Sequence, residues 1–203
     1  MNPFLLWTAF SFRKELMYVA SVFVLVLALP IIAVMLLTQT GINIVSDKLA
    51  TVNALNQTIE ILNPLDGTVV KTITAKFIWP TQGRITLEFG QADLPYQPLH
   101  TGIDIAGKRG NPIAAFADGK VIYAGEISWG FGKHIIIDNG NNITSIYAHL
   151  DKIYVAKDEK VTQGQIIGAE GSTGWSTGPH LHFQVNVFGI PVNPRKFLSS
   201  NLE

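Results

Sequence analysis

The chain has 203 residues, with 15 Lys plus Arg balanced by 15 Asp plus Glu and no cysteine. That length accommodates one domain of ordinary size together with an attachment segment. The even charge argues against nucleic-acid binding and against an acidic solvating tail, and the missing thiols exclude disulfides, thiolate metal sites and a lipidated cysteine, so any zinc would have to be held by His and Asp.

Residues 1–15 read as a cytoplasmic N-terminus; the apolar and aromatic stretch 4–12 is too short to cross a bilayer and is expected at its inner interface. Residues 16–38 read as a transmembrane helix. From Leu16 to Leu37 the side chains are apolar apart from Tyr18, Ser21 and Pro30, about 22 residues or roughly 33 Å as a helix, which matches the hydrocarbon thickness. Arg13 and Lys14 precede the span and the next charges are Asp47 and Lys48, so the positive-inside rule puts the N-terminus in the cytoplasm and the remainder outside. A cleaved signal peptide is the alternative. The apolar run is longer than a usual signal core, and Leu37-Thr38-Gln39-Thr40 lacks the small-x-small pattern before a cut, so an uncleaved single-pass anchor is preferred. Pro30 is expected to bend the helix.

Residues 39–64 read as a stalk helix starting near Ser46 and ending at Pro64, with Leu49, Val52, Leu55, Ile59 and Leu62 forming one apolar stripe. The stripe suits either a short parallel coiled coil or packing against the chain's own domain; two heptads are marginal alone, which favours packing. From Leu65 the pattern changes to strands, first in a β-rich linker, 65–77, then in a domain at 78–198, followed by a tail at 199–203. Short β-prone runs at 85–89, 102–106, 120–125, 134–138, 143–148, 165–168 and 181–187 alternate with turn signals such as Asp118-Gly119 and Asn139-Gly140. The expected fold class is therefore mainly β, an antiparallel sheet or sandwich behind an N-terminal transmembrane helix and a short stalk helix.

Four of the five histidines fall in three short pieces: His100-Thr-Gly-Ile-Asp104, Tyr147-Ala-His149-Leu150 and His180-Leu-His182-Phe183. In strands, residues two and four apart share a face, so His100 and Asp104 face one way, as do His180 and His182, and both pairs can aim into one groove. Gly102 leaves room on that face. Each piece alone is weak, since an isolated His-x-His is more often two strand residues and an isolated His-x-x-x-Asp an ion pair. Together they supply an open zinc site with histidines to spare. No Glu lies in these pieces to act as a general base, so proton transfer falls to a histidine. His134 lies outside them and reads as a strand-surface or edge residue without function.

The pieces resemble the lysostaphin-type zinc metallopeptidases, which cut peptide bonds in bacterial peptidoglycan, over about 78–198. The likeness also rests on Ile78-Trp79-Pro80, Gly110-Asn-Pro-Ile113, Ala117-Asp-Gly-Lys-Val121, Val161-Thr-Gln-Gly-Gln-Ile-Ile-Gly168, Gly171-Ser-Thr-Gly174, Ser176-Thr-Gly-Pro-His-Leu-His-Phe183 and Val192-Asn-Pro194. The resemblance implies that His100, Asp104 and His182 bind Zn2+, and that His149 and His180 are catalytic, one accepting a proton and the other stabilising the oxyanion. It also implies peptidoglycan stem peptides or cross-bridges as substrate. Departures are Asp138-Asn139-Gly140, Phe131-Gly132-Lys133 and Gln184 where the family has Glu; the last removes a charge beside His182.

The N-in anchor would set such a domain on the side where the wall lies. The expectation is a membrane-anchored peptidoglycan endopeptidase serving wall remodelling, or local wall opening for an envelope-spanning machine such as a secretion or conjugation apparatus. The alternative is a catalytically silent wall-binding or scaffold domain that regulates another hydrolase, although such a protein should have lost motif residues. Trp175, among Gly171, Gly174 and Gly178, reads either as an aromatic groove wall or as a core residue in an ordinary turn.

Overall fold

The computed structural model describes residues 3–53, 58–74, 77–92 and 99–198. Leu55 of the expected stripe and the tail 199–203 lie outside the described residues. The chain divides into two compact units, Met1–Thr38 and Gln39–Glu203.

The first unit is built from helix α1 (Pro3–Leu49), which runs on through Pro30 and continues into the second. Every described large apolar side chain between Leu16 and Leu37 is more than half exposed, so the surface is apolar all round, the pattern of a helix whose solvent is lipid. The Ser21 hydroxyl donates to the Met17 carbonyl, and that of Thr38 to the Val34 carbonyl at 2.6 Å. Polar groups are thus satisfied within the helix, as hydrocarbon requires. α1 is long and apolar enough to cross a membrane.

In the second unit the stalk helix is not formed as expected. α1 ends at Leu49, and the chain turns into β1 (Ala50–Asn53), β2 (Thr58–Leu62) and β3 (Val69–Ile73), an antiparallel three-stranded sheet. The helix stops where Lys196 Nζ donates to the carbonyls of Ser46 at 3.0 Å and Ala50 at 2.6 Å, a cation on the negative end of the helix. Beyond it, β-branched Thr51, Val52, Thr58, Ile59 and Ile61 favour extended backbone. In β2 burial alternates from Ile59 onward, with Ile59 and Ile61 inside and Ile73 paired to Ile59, while Val52 of the supposed stripe is exposed. The i, i+3 and i, i+4 spacing runs from the last residue of α1 into two strands, β1 and β2, that pair side by side, so it marks no helical face there.

The mainly β antiparallel architecture is as expected. Its elements are β4 (Arg84–Leu87), β5 (Ile103–Ala106), β6 (Pro112–Ala114), β7 (Gly119–Glu126), β8 (Lys133–Asp138), β9 (Ile143–Ala148), β10 (Lys152–Ile153), β11 (Lys160–Val161), β12 (Ile166–Ala169), β13 (His180–Val187) and β14 (Ile190–Val192). The large sheet has the order β11-β7-β8-β9-β13-β5-β4, with β14 paired to β13, and β10-β12-β6 form a smaller one. Along β13 the side chains alternate strictly. Leu181, Phe183, Val185 and Val187 are fully buried in the core, where Phe183 meets Phe116 at 5.3 Å and Tyr147 at 5.4 Å between ring centroids. The Tyr147 hydroxyl accepts the Phe116 N–H at 2.9 Å, and burial pushes that phenol up to about 12. The other face of β13 carries His180, His182 and Gln184.

His134 is not a surface or edge residue. It sits on β8, between β7 and β9, nearly buried, with its ring stacked on Tyr123 at 4.4 Å and Nδ1–H donating to the Gly132 carbonyl at 2.9 Å. A ring that stacks on an aromatic and spends its polar edge on backbone is as well placed inside as outside.

Candidate active site

β13 is central: it pairs with β5 so that His182 lies opposite Asp104, and with β9 so that His182 lies opposite Ala148, one residue before His149. His100 is brought in differently from expectation. β5 begins only at Ile103, and His100 belongs to the preceding loop, tied by its N–H to the Gln91 carbonyl at 2.7 Å and by its carbonyl to the Gly90 N–H at 2.8 Å. Gly102 lets that loop lie on β13: an added Cβ would meet the Phe183 carbonyl oxygen at 2.4 Å and the His182 ring at 3.0 Å.

Three atoms converge. His100 Nε2 is 3.0 Å from Asp104 Oδ1 and 2.9 Å from His182 Nδ1, and His182 Nδ1 is 3.0 Å from Asp104 Oδ1. The outer nitrogens define the tautomers. His100 Nδ1 faces the Glu88 carbonyl at 3.3 Å, and His182 Nε2 faces Gln184 Oε1 at 3.5 Å. Oxygens of this kind only accept, so the outer nitrogens carry the protons and the inner ones present lone pairs. Three lone-pair atoms this close repel one another unless a cation sits among them, and edges near 3 Å suit a metal held by bonds of about 2.0–2.2 Å. The donor set of two imidazoles and one carboxylate fits zinc.

Gln184 is anchored, not merely substituted. Its Oε1 accepts the Thr101 hydroxyl at 2.6 Å and its Nε2 donates to Asn186 Oδ1 at 2.7 Å, so the amide oxygen must face His182. Loss of the family's charge leaves the orienting acceptor in place. Gln184→Ala should weaken zinc binding about 10–100-fold, as outer-sphere partners of metal histidines do; competition against a fluorescent zinc chelator measures it, and an unchanged affinity would remove Gln184 from this role.

His149 and His180 stand beside the cluster, their ring centroids 4.7 Å apart, with His149 6.0 Å from His182. His149 Nδ1–H donates to the Thr173 carbonyl at 2.8 Å, and His180 Nδ1–H to the Gly178 carbonyl at 2.9 Å. Both rings therefore turn a bare Nε2 inward, that of His180 lying 3.6 Å from Asp104 Oδ2. His149 has φ +61°, a left-handed conformation that costs a residue with a side chain on the order of 1 kcal/mol and recurs at functional positions.

Burial first, then the nearby His182 and His180, push the His149 imidazole down to about 4. Above an unfolded value near 6.5 both states are neutral and the group contributes nothing to pH dependence. As pH falls through that value the unfolded chain protonates first, and the His149 contribution alone should cost the metal-free protein about 3 kcal/mol between roughly pH 6.5 and 4. The check is urea unfolding of the metal-free chain across that range, in which His149→Gln should flatten the slope.

The five residues line one groove of about 430 Å³ whose remaining walls are Ile127, Trp129, Gly130, Phe131, Trp175, Ser176 and Thr177. Nothing described before His100 lines it. Trp175 is 52% exposed, on the groove wall and not in the core. Sequence reasoning missed Trp129 as a wall residue and missed the acceptors on Glu88, Thr173 and Gly178. Backbone carbonyls carry no side-chain signature, and Thr173 read only as part of a turn.

The sequence model of Peptidase family M23 matches residues 98–194. The chain is 42% identical over 120 residues to the murein hydrolase activator NlpD of Escherichia coli (strain K12), covering 59% of this chain and 30% of that protein. It is 45% identical over 96 residues to the DD-carboxypeptidase/endopeptidase Mpg of Neisseria meningitidis serogroup B, covering 47% of this chain and 22% of that one. It therefore spans less than a third of these curated relatives. The catalytic domain of the antimicrobial peptidase lysostaphin from Staphylococcus simulans superposes with TM-score 0.53 at 34% identity, covering 57% of this chain and 91% of that domain.

Proposed function

The chain belongs to the M23 peptidase family, and on that premise we propose that it is a membrane-anchored zinc metalloendopeptidase hydrolysing peptide bonds in bacterial peptidoglycan. One observation carries the reading: three inward lone pairs within 3.0 Å of one another, beside two further histidines with bare inward Nε2 atoms, in one open groove. His100, Asp104 and His182 hold the metal. Zinc bound there supplies a Lewis acid and brings water's pKa to near 7. The chain's own residues move the proton. His149 and His180, each with Nδ1–H locked on a carbonyl, expose Nε2 to the groove, and whichever ring takes the proton from the attacking water becomes a donor able to return it to the leaving amine. The other ring can serve the oxyanion of the tetrahedral intermediate only as an imidazolium, its Nε2 protonated from solvent before the attack. The Thr173 and Gly178 carbonyls hold both rings in the tautomer this exchange needs.

α1 supports an anchor, and Arg13 and Lys14 before the span support a cytoplasmic N-terminus with the domain outside, where the wall lies. Such a placement suits wall remodelling or local wall opening for a secretion or conjugation machine. A second reading, an activator of another hydrolase, is favoured by the likeness to NlpD; the complete set of metal and proton-transfer groups favours the enzyme. Full-length protein in detergent, loaded with zinc, should solubilise purified cell walls and release cut cross-links visible by mass spectrometry, and a chelator should stop it. Zinc-loaded protein that leaves walls and cross-linked peptides intact would overturn the enzyme reading.

A further inference from the structure

Two tryptophans stand at the mouth of the groove. Trp129 lies in the loop between β7 and β8, and Trp175 in the loop between β12 and β13. They are 62% and 52% exposed, with ring centroids 6.3 Å apart and planes tilted by 54°. Both line the groove that contains His149 and His180. Large aromatic surface left in water beside a cleft marks a binding surface, because burying it against a ligand is favourable and leaving it exposed is not.

The lip is built before any ligand arrives. Trp175 N–H donates to the Gly130 carbonyl at 2.8 Å, Gly132 N–H to the Trp129 carbonyl at 3.2 Å and Ile127 N–H to the Gly132 carbonyl at 3.1 Å. At Gly132, with φ +60°, an added Cβ would lie 2.4 Å from the Thr173 carbonyl carbon, so the loops touch through backbone. These main-chain groups are used inside the lip. Extended peptides are gripped chiefly through main-chain hydrogen bonds to open strand edges, whereas this lip offers exposed indole surface.

Charge points the same way. Asp104 and the histidines apart, the described residues that line the groove include no ionisable side chain. Stem peptides bring carboxylates and amines, while the glycan strands of the wall are uncharged N-acetylated pyranoses. Their C–H faces carry slight positive charge and stack on the negative π face of an indole. Building on the peptidoglycan reading of this groove, we propose that Trp129 and Trp175 form a glycan subsite, so that the enzyme selects cross-links still attached to sugar over free peptides.

Zinc-loaded full-length chain in detergent is to be given cross-linked muropeptides bearing their disaccharides and the same peptides with the sugars removed. The ratio of kcat/KM for the two should favour the sugar-bearing substrate. Trp129→Ala and Trp175→Ala should each lower that ratio about tenfold, the scale of one lost aromatic contact, with Trp129→Phe recovering most of it. An unchanged ratio overturns the inference, as does a loss that is equal on both substrates, which would assign the lip to peptide. Equilibrium dialysis of a labelled N-acetylglucosamine tetramer separates this from the enzyme reading. If no peptide is cut but the tetramer binds and either alanine variant weakens it about tenfold, the enzyme reading falls and the glycan subsite stands. If peptides are cut and the tetramer does not bind, the subsite falls alone.

Discussion

His182→Ala is expected to remove zinc and turnover together, whereas His149→Ala should keep zinc and lose about 10²–10⁴ in kcat, the range of general acid–base catalysis. The two side chains share a groove and their rings are 6.0 Å apart, but the proposed function gives their inward atoms different work. His182 Nδ1 is within 3.0 Å of both other donors, so its removal opens the triangle and exposes Asp104 and His100 to each other's repulsion. The loss in affinity should exceed the roughly 10–100-fold of an outer-sphere change such as Gln184→Ala. His149 contributes nothing to that triangle; its polar contact is with the Thr173 carbonyl. His180→Ala should behave like His149→Ala. Metal content after dialysis and rates on cross-linked muropeptides provide both readouts. Loss of metal in both His182→Ala and His149→Ala would collapse the division between holding and reacting groups.

Much of this site is legible in the sequence, for a physical reason. β13 reads His-Leu-His-Phe-Gln-Val-Asn-Val, polar and apolar in strict alternation, and a strand with one face on a core and one on a groove has no other consistent pattern. Spacing alone was less reliable. His100 and Asp104 do converge, but from a loop and a strand, because Gly102 bends the approach onto β13. The stalk helix failed for the converse reason: Leu49, Val52, Ile59 and Leu62 satisfy a helical spacing, yet β-branched Thr51, Val52, Thr58, Ile59 and Ile61 and the partner strand β3 decide the backbone. What orients each histidine was not readable at all, since the acceptors on Glu88, Thr173 and Gly178 are carbonyls, identical at every residue until the fold selects them. Trp129 was overlooked because its neighbour across the lip, Trp175, comes from a loop 46 positions away in the chain, 175 minus 129.

Phe183→Ala should be the most damaging single change away from the groove. The ring is fully buried between Phe116 and Tyr147, and truncations of this kind cost about 3–5 kcal/mol, against roughly 5–15 kcal/mol of total stability for a domain. Its consequences should also reach the metal. Phe183 lies between His182 and Gln184, and its carbonyl is the surface on which Gly102 rests. A cavity on the core side lets both ligand-bearing segments relax, so zinc affinity should fall with stability. Val187→Ala, at the far end of the same strand where it pairs with Ile143 and Ile190, should lower stability and leave zinc affinity intact. Zinc in excess should restore part of the lost stability in Phe183→Ala, by about 1.4 kcal/mol for each tenfold above its dissociation constant, because only the folded chain assembles the three donors. Chemical unfolding with and without zinc measures all three quantities. Equal weakening of zinc by Val187→Ala would mean that the site senses global stability and not the packing beneath His182; full stability in Phe183→Ala would mean that the core closes over the cavity without moving β13.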